Sequence, residues 1–173
     1  MVRPVTQIQR RKLILAAGSS ALFLAHNTTV VGQANENQST VPKEPPQDSE
    51  LLENQKKANQ IVDDIIQGRA IRRDLVEATV PDIAEDGAVV PVSFKINCSM
   101  EGEDYPKTVH VIGMVNPTPE IAQYHFTPMC GAAEVVFRCR MHASSNLSFI
   151  SVMADGTIGE IRKFVTVTAG GCI

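Results

Sequence analysis

Four cysteines, at positions 98, 130, 139 and 172, hold most of the chemistry in this sequence, and their settings differ. Cys172 is next to last, in the run Thr166-Val167-Thr168-Ala169-Gly170-Gly171-Cys172-Ile173. Two glycines before a near-terminal cysteine put a thiol on a tether with little steric restriction. Four to five extended residues reach roughly 15 Å. Ala169, Gly170, Gly171 and Ile173 are therefore read with Cys172 as a flexible arm, residues 169–173. Its thiol is expected to be exposed and able to enter a pocket on another protein. Exposed free thiols are a liability in an oxidising compartment, which argues against an incidental surface cysteine. Cys98 and Cys139 fall on the apolar faces of expected strands, where core packing or an internal disulfide is expected. Cys130 lies at an expected turn beside Gly131 and belongs at the surface. It is open to a bridge with Cys139 or Cys98, to a link with a partner, or to a dimer.

The chain carries no redox machinery of its own. There is no Cys-x-x-Cys, no Cys-x-x-Cys-His and no glycine-rich phosphate loop. The histidines His26, His110, His125 and His142 show no ligand spacing, so no metal and no cofactor is expected. The Asp and Glu residues are scattered through turns and a helix, and nothing pairs them for acid/base work. A thiol without an activating pocket of its own points to a protein acted on by enzymes rather than to an enzyme.

Charge narrows the partners further. The net charge is −3, but residues 1–34 contain Arg3, Arg10, Arg11 and Lys12 and no acid. Without them the balance is 12 basic against 19 acidic groups, a net of −7. Such a surface repels phosphate backbones, so nucleic-acid binding is not expected.

The early basic residues introduce an export signal. Arg10-Arg11-Lys12 precedes a mildly apolar run, Leu13 to Ala25, and Gly32-Gln33-Ala34 offers small residues for cleavage. The run falls short of the roughly 20 apolar residues that span a bilayer. Paired arginines before a Gly/Ser-containing apolar run suggest the twin-arginine route. Residues 1–34 are thus expected to be a signal peptide and the mature protein to be periplasmic, with no membrane association after cleavage. Residues 35–48 hold almost no apolar groups and are read as a disordered leader.

The remainder, 49–168, must position the arm. From Ser49 to Gly68 the pattern is helical, with Leu52, Ala58, Ile61, Ile65 and Ile66 able to share a face. Asp48 or Ser49 suits the N-cap and Gly68 the stop. Beyond it, Val90, Val92, Phe94, Ile96 and Cys98 alternate with polar residues. Further strands are expected over 75–80, 108–115, 121–127, 134–141, 147–153 and 158–168. Asp155-Gly156 is a hairpin signal between the last two. About seven short strands over roughly 100 residues predict an all-β, immunoglobulin-like antiparallel sandwich with one N-terminal helix.

Several of these segments resemble a known family. They are Ile83-Ala84-Glu85-Asp86-Gly87-Ala88-Val89-Val90-Pro91-Val92, Asn116-Pro117-Thr118-Pro119-Glu120, and Tyr124-His125-Phe126-Thr127-Pro128, together with the terminal Gly-Gly-Cys and the paired arginines. Over about residues 50–173 the chain resembles SoxY, the carrier subunit of bacterial thiosulfate oxidation. The resemblance implies a non-enzymatic carrier that holds sulfur intermediates covalently on Cys172, with Gly170 and Gly171 as its arm. It also implies a SoxZ-like partner subunit in a heterodimer. A haem-containing enzyme would conjugate thiosulfate to the thiol, a manganese sulfohydrolase would release sulfate, and a molybdenum sulfane dehydrogenase would oxidise the sulfur left behind.

The family usually ends Gly-Gly-Cys-Gly-Gly, whereas this chain ends Gly-Gly-Cys-Ile. The terminal carboxylate then lies one residue from Cys172, which disfavours the thiolate and repels anionic thiosulfate. The competing reading is an immunoglobulin-like periplasmic interaction module whose terminal cysteine forms a structural intermolecular disulfide.

Overall fold

The computed structural model describes residues 48–170. The expected signal peptide with Arg10 and Arg11, almost all of the leader, and Gly171, Cys172 and Ile173 lie outside the described residues. Helix α1 spans Asp48–Ile66, so Asp48 opens the helix rather than closing the leader. Nine strands follow: β1 (Ile71–Arg72), β2 (Val76–Thr79), β3 (Ile83–Ala84), β4 (Val90–Ile96), β5 (Pro106–Gly113), β6 (Glu120–His125), β7 (Glu134–Cys139), β8 (Ser145–Met153) and β9 (Ile158–Val167). A single 3-10 turn, Pro128–Cys130, sits between β6 and β7.

The strands form two sheets of an immunoglobulin-like sandwich. One runs in the order β1-β9-β8-β5-β6, with β3 also paired to β9, and the other in the order β2-β4-β7. The seven strands expected from alternation are all present. The two additional strands, β1 and β3, have two residues each and pair parallel to β9, so the sandwich is not wholly antiparallel. Two residues are too few to show a period of two, which is why alternation does not reveal them.

Inward residues of β4 (Val90, Val92, Phe94 and Ile96) meet Val109, Val111, Leu147 and Phe149 from the larger sheet in one buried cluster. A second cluster lies on the other face of that sheet, where Ala58 and Val62 of α1 cover Ile112, Ile150 and Ile158. The buried line along α1 is Asn54, Ala58 and Val62, each four residues from the last, with Ile61, Ile65 and Ile66 packed beside it. Leu52, expected on that face, is instead 57% exposed. Spacing explains the difference: Leu52 falls off the Asn54–Ala58–Val62 row, and Asn54 takes the inward place because its amide donates to the Val115 carbonyl (3.3 Å).

The helix ends where Gln67 and Gly68 both adopt positive φ, 53° and 71°. Arg69 then folds back, its guanidinium donating to the carbonyls of Ile65 (2.6 Å), Ile66 (3.0 Å) and Gly156 (3.1 Å). One side chain thereby caps the helix and ties it to the β8–β9 hairpin. That hairpin turns at Asp155-Gly156 as expected, with Gly156 at φ 86° and the Asp155 carboxylate accepting from the Thr157 amide (2.8 Å).

Candidate functional site

Strand β9 delivers the chain to its carboxyl end, and the last described residues are tightly held. Ser144 Oγ accepts from the Val167 amide (2.8 Å) and donates to the Val167 carbonyl (3.2 Å). Thr168 follows: its amide donates to the Ala84 carbonyl (3.0 Å) and its hydroxyl to the Glu85 carbonyl (2.9 Å). The Ala169 carbonyl accepts from the Gly87 amide (2.8 Å). The Gly87 carbonyl in turn accepts from the Met141 amide (2.7 Å), so one turn residue links the arm's root to the end of β7. The turn itself is closed by Asp86, whose carboxylate accepts from the Ala88 amide (2.7 Å).

Beside this clasp lies the loop 140–142. The buried Asn116 spans it, its amide donating to the Arg140 carbonyl (2.9 Å) and its Oδ1 accepting from the His142 amide (3.0 Å). His142 is 5% exposed, and among the described residues neither ring nitrogen has a hydrogen-bond partner. Its Nε2 lies 3.7 Å from Glu50 in the first turn of α1. The residues of the Glu85–Gly87 turn and Asn116 belong to two of the segments that carry the sequence resemblance. Far apart in sequence, they converge on the root of the arm.

Of the expected arm residues, Ala169 and Gly170 are described and exposed, while Gly171, Cys172 and Ile173 lie outside the described residues. The three other thiols are free cysteines. Neither a bridge between Cys130 and Cys139 nor one between Cys130 and Cys98 is present. Cys98 is half-buried just beyond β4, its sulfur 3.5 Å from that of Met100, and burial raises its pKa. Cys130 is exposed on the 3-10 turn, 3.8 Å from the Thr127 hydroxyl. Cys139 ends β7, 4% exposed in the main cluster, and burial pushes its thiol up to about 11 from an ordinary 9.0.

That shift has a measurable consequence. A folded-state thiol pKa above the unfolded one contributes stability in full below pH 9.0, and this is lost as pH rises through about 11. The loss amounts to roughly 3 kcal/mol, because two pKa units are each worth about 1.4 kcal/mol. Urea midpoints of the wild type between pH 8 and 11 should therefore fall more steeply than those of Cys139→Ala. Parallel curves would show that the site does not penalise the thiolate.

One pairing is invisible to residue spacing. His110 Nδ1 on β5 lies 2.7 Å from Glu120 Oε1 on β6, and Gln123 donates to the same oxygen (2.8 Å). No nucleophile belongs to this group. Asn116, Ser144 and His142 are likewise absent from the sequence reading of the site. Their partners lie 23 to 26 residues away, and no local pattern announces them.

Among the described residues no group of three or more His, Cys, Asp or Glu side chains is placed to hold a metal ion, and no helix is long and apolar enough to cross a membrane. A comparison with curated proteins gives no sequence match. Among solved structures, the sulfur carrier protein SoxY from Chlorobium limicola f thiosulfatophilum is similar, with a TM-score of 0.54 and 23% identity over 65% of this chain and 97% of that one. The superoxide reductase (neelaredoxin) from Ignicoccus hospitalis gives a TM-score of 0.48 and 18% identity over 60% of this chain and 91% of that one. The family described as sulfur oxidation protein SoxY matches residues 62–172, from the buried face of α1 to the near-terminal cysteine, and the chain belongs to that family.

Proposed function

We propose that this protein is a periplasmic sulfur carrier, exported by the twin-arginine route, which holds thiosulfate-derived intermediates covalently on Cys172. The observation that carries the reading is the extent of the family match, which runs through to residue 172 and so includes the cysteine and both glycines before it. The similarity of the fold to a sulfur carrier protein supports it. The other thiols suit the role less well: Cys139 is buried and held protonated, Cys98 is half-buried, and Cys130 sits on a short turn fixed to the domain.

The chemistry is a two-electron oxidation. The Cys172 thiolate and the outer sulfur of thiosulfate form an S–S bond, giving a cysteine S-thiosulfonate, and two electrons pass to a haem-containing partner enzyme. A manganese sulfohydrolase then adds water across the sulfur–sulfonate bond, releasing sulfate and two protons and leaving a persulfide on Cys172. A molybdenum sulfane dehydrogenase is the further partner for the remaining sulfur, and a SoxZ-like subunit completes the carrier. The protein contributes the nucleophile and its presentation; the electrons and the water are handled by the partners. That division fits a sequence that holds no Cys-x-x-Cys, no Cys-x-x-Cys-His and no glycine-rich phosphate loop.

Intact-mass spectrometry of the mature protein from thiosulfate-grown cells tests this. Reductant-labile increments matching thiosulfonate or sulfane sulfur are expected, and all of them should vanish in Cys172→Ala. An unmodified thiol, or a fixed disulfide to another protein, would instead establish a structural role for the terminal cysteine.

A further inference from the structure

Gly170 makes a closer contact than a free tether would. A Cβ built on it would stand 2.8 Å from the carbonyl oxygen of His142, inside the distance that real Cβ atoms keep. The obstacle is backbone, and it is fixed. The amide of His142 is bonded to Asn116, that of Met141 to Gly87, and Ser144 holds Val167 from both sides. One residue before the glycine, the Ala169 carbonyl is bonded to Gly87 as well. Gly170 does not adopt the left-handed backbone conformation found at Gly68, Gly102, Gly131 and Gly156. Close approach, not conformational freedom, is therefore what requires a glycine here.

We propose that Gly170 is the seat of the arm and not its hinge. It lets the chain lie against the His142 carbonyl and the Gly87 turn, so that the root of the arm is held as far as Gly170. The inference rests on the reading of Cys172 as the sulfur-bearing residue, and it changes the geometry of presentation. From the α-carbon of Gly170 to that of Cys172 is two residues, at most about 7 Å. An arm pivoting at the end of β9 would command roughly twice that reach. A seated arm presents its sulfur close to the end face formed by the Glu85–Gly87 turn and the 140–142 loop. Partner enzymes must then accept that rim of the domain along with the thiol. A reaction centre deeper than about 10 Å requires the seat to open first.

Two glycine variants separate seat from hinge without any sulfur chemistry. In a Cys98→Ala/Cys130→Ser background, a nitroxide label on Cys172 reports arm motion and amide exchange at Gly87 reports the seat. Gly170→Ala should unseat the arm: the label becomes more mobile, and the Gly87 amide exchanges about ten-fold faster relative to core amides such as Phe149. Gly171→Ala should restrict the label and leave Gly87 unchanged. A Gly87 exchange rate that Gly170→Ala does not alter, relative to Phe149, overturns the proposal whatever the label does. Because neither readout involves a sulfur adduct, this result stands apart from the mass measurement on Cys172→Ala.

Discussion

Phe94→Ala is expected to destabilise the domain by about 3–5 kcal/mol, a large part of the roughly 5–15 kcal/mol that holds a domain of this size together. Phe94 is fully buried on β4, at the centre of the smaller sheet. Its ring lies 5.4 Å from that of Tyr124 on β6, 6.1 Å from Phe149 on β8 and 6.4 Å from Phe137 on β7. All three pairs are tilted or edge-on, the arrangement that aromatic quadrupoles favour. Two of the three partners belong to the opposite sheet, so this one side chain spans the sandwich. Truncation removes the transfer free energy of the ring and leaves a cavity that fixed strands cannot close. Tm should fall by roughly 10–20 °C. Phe94→Leu should keep more than half of the stability lost in the alanine variant. A loss below about 1.5 kcal/mol for Phe94→Ala would mean that the two sheets do not share this core.

The same residue shows what could be read without a structure. Phe94 belongs to a strict alternation from Val90 to Ile96, and in β4 each apolar member of that alternation is buried. Alternation arises because successive side chains leave a strand on opposite faces, so it survives in sequence wherever one face meets a core. The helix was legible for a similar reason, but its exact face was not. Asn54 looks polar and Leu52 apolar, yet the hydrogen bond to Val115 turns Asn54 inward and Leu52 out. The arm's glycines are legible as a type, but their spacing speaks only of freedom. Nothing local to Gly170 reveals the His142 carbonyl, because the contact joins residues 28 apart across the end of the sandwich. Spacing signals report periodic faces; clasps between loops have no period.

Asn116→Ala tests such a clasp and is expected to cost about 2–4 kcal/mol. The side chain is 3% exposed and uses both ends of its amide, donating to Arg140 and accepting from His142. Its own backbone amide closes the turn after β5 by donating to the Gly113 carbonyl (3.2 Å). Gly113 leaves just enough room, since a Cβ there would stand 2.9 Å from Asn116 Cγ. Removing the amide forfeits two hydrogen bonds and strands the backbone amide of the buried His142 without its acceptor. Asn116→Asp is the sharper probe. It keeps an acceptor for His142 but turns a carboxylate oxygen toward the Arg140 carbonyl, where the amide hydrogen had been, so it should recover little of the loss. If the 140–142 loop also seats Gly170, both variants should speed amide exchange at Gly87 beyond what the global loss of stability explains. Equal changes at Gly87 and Phe149 would confine Asn116 to holding the fold. A larger change at Gly87 would connect the turn after β5, through the His142 carbonyl, to the root of the arm that bears Cys172.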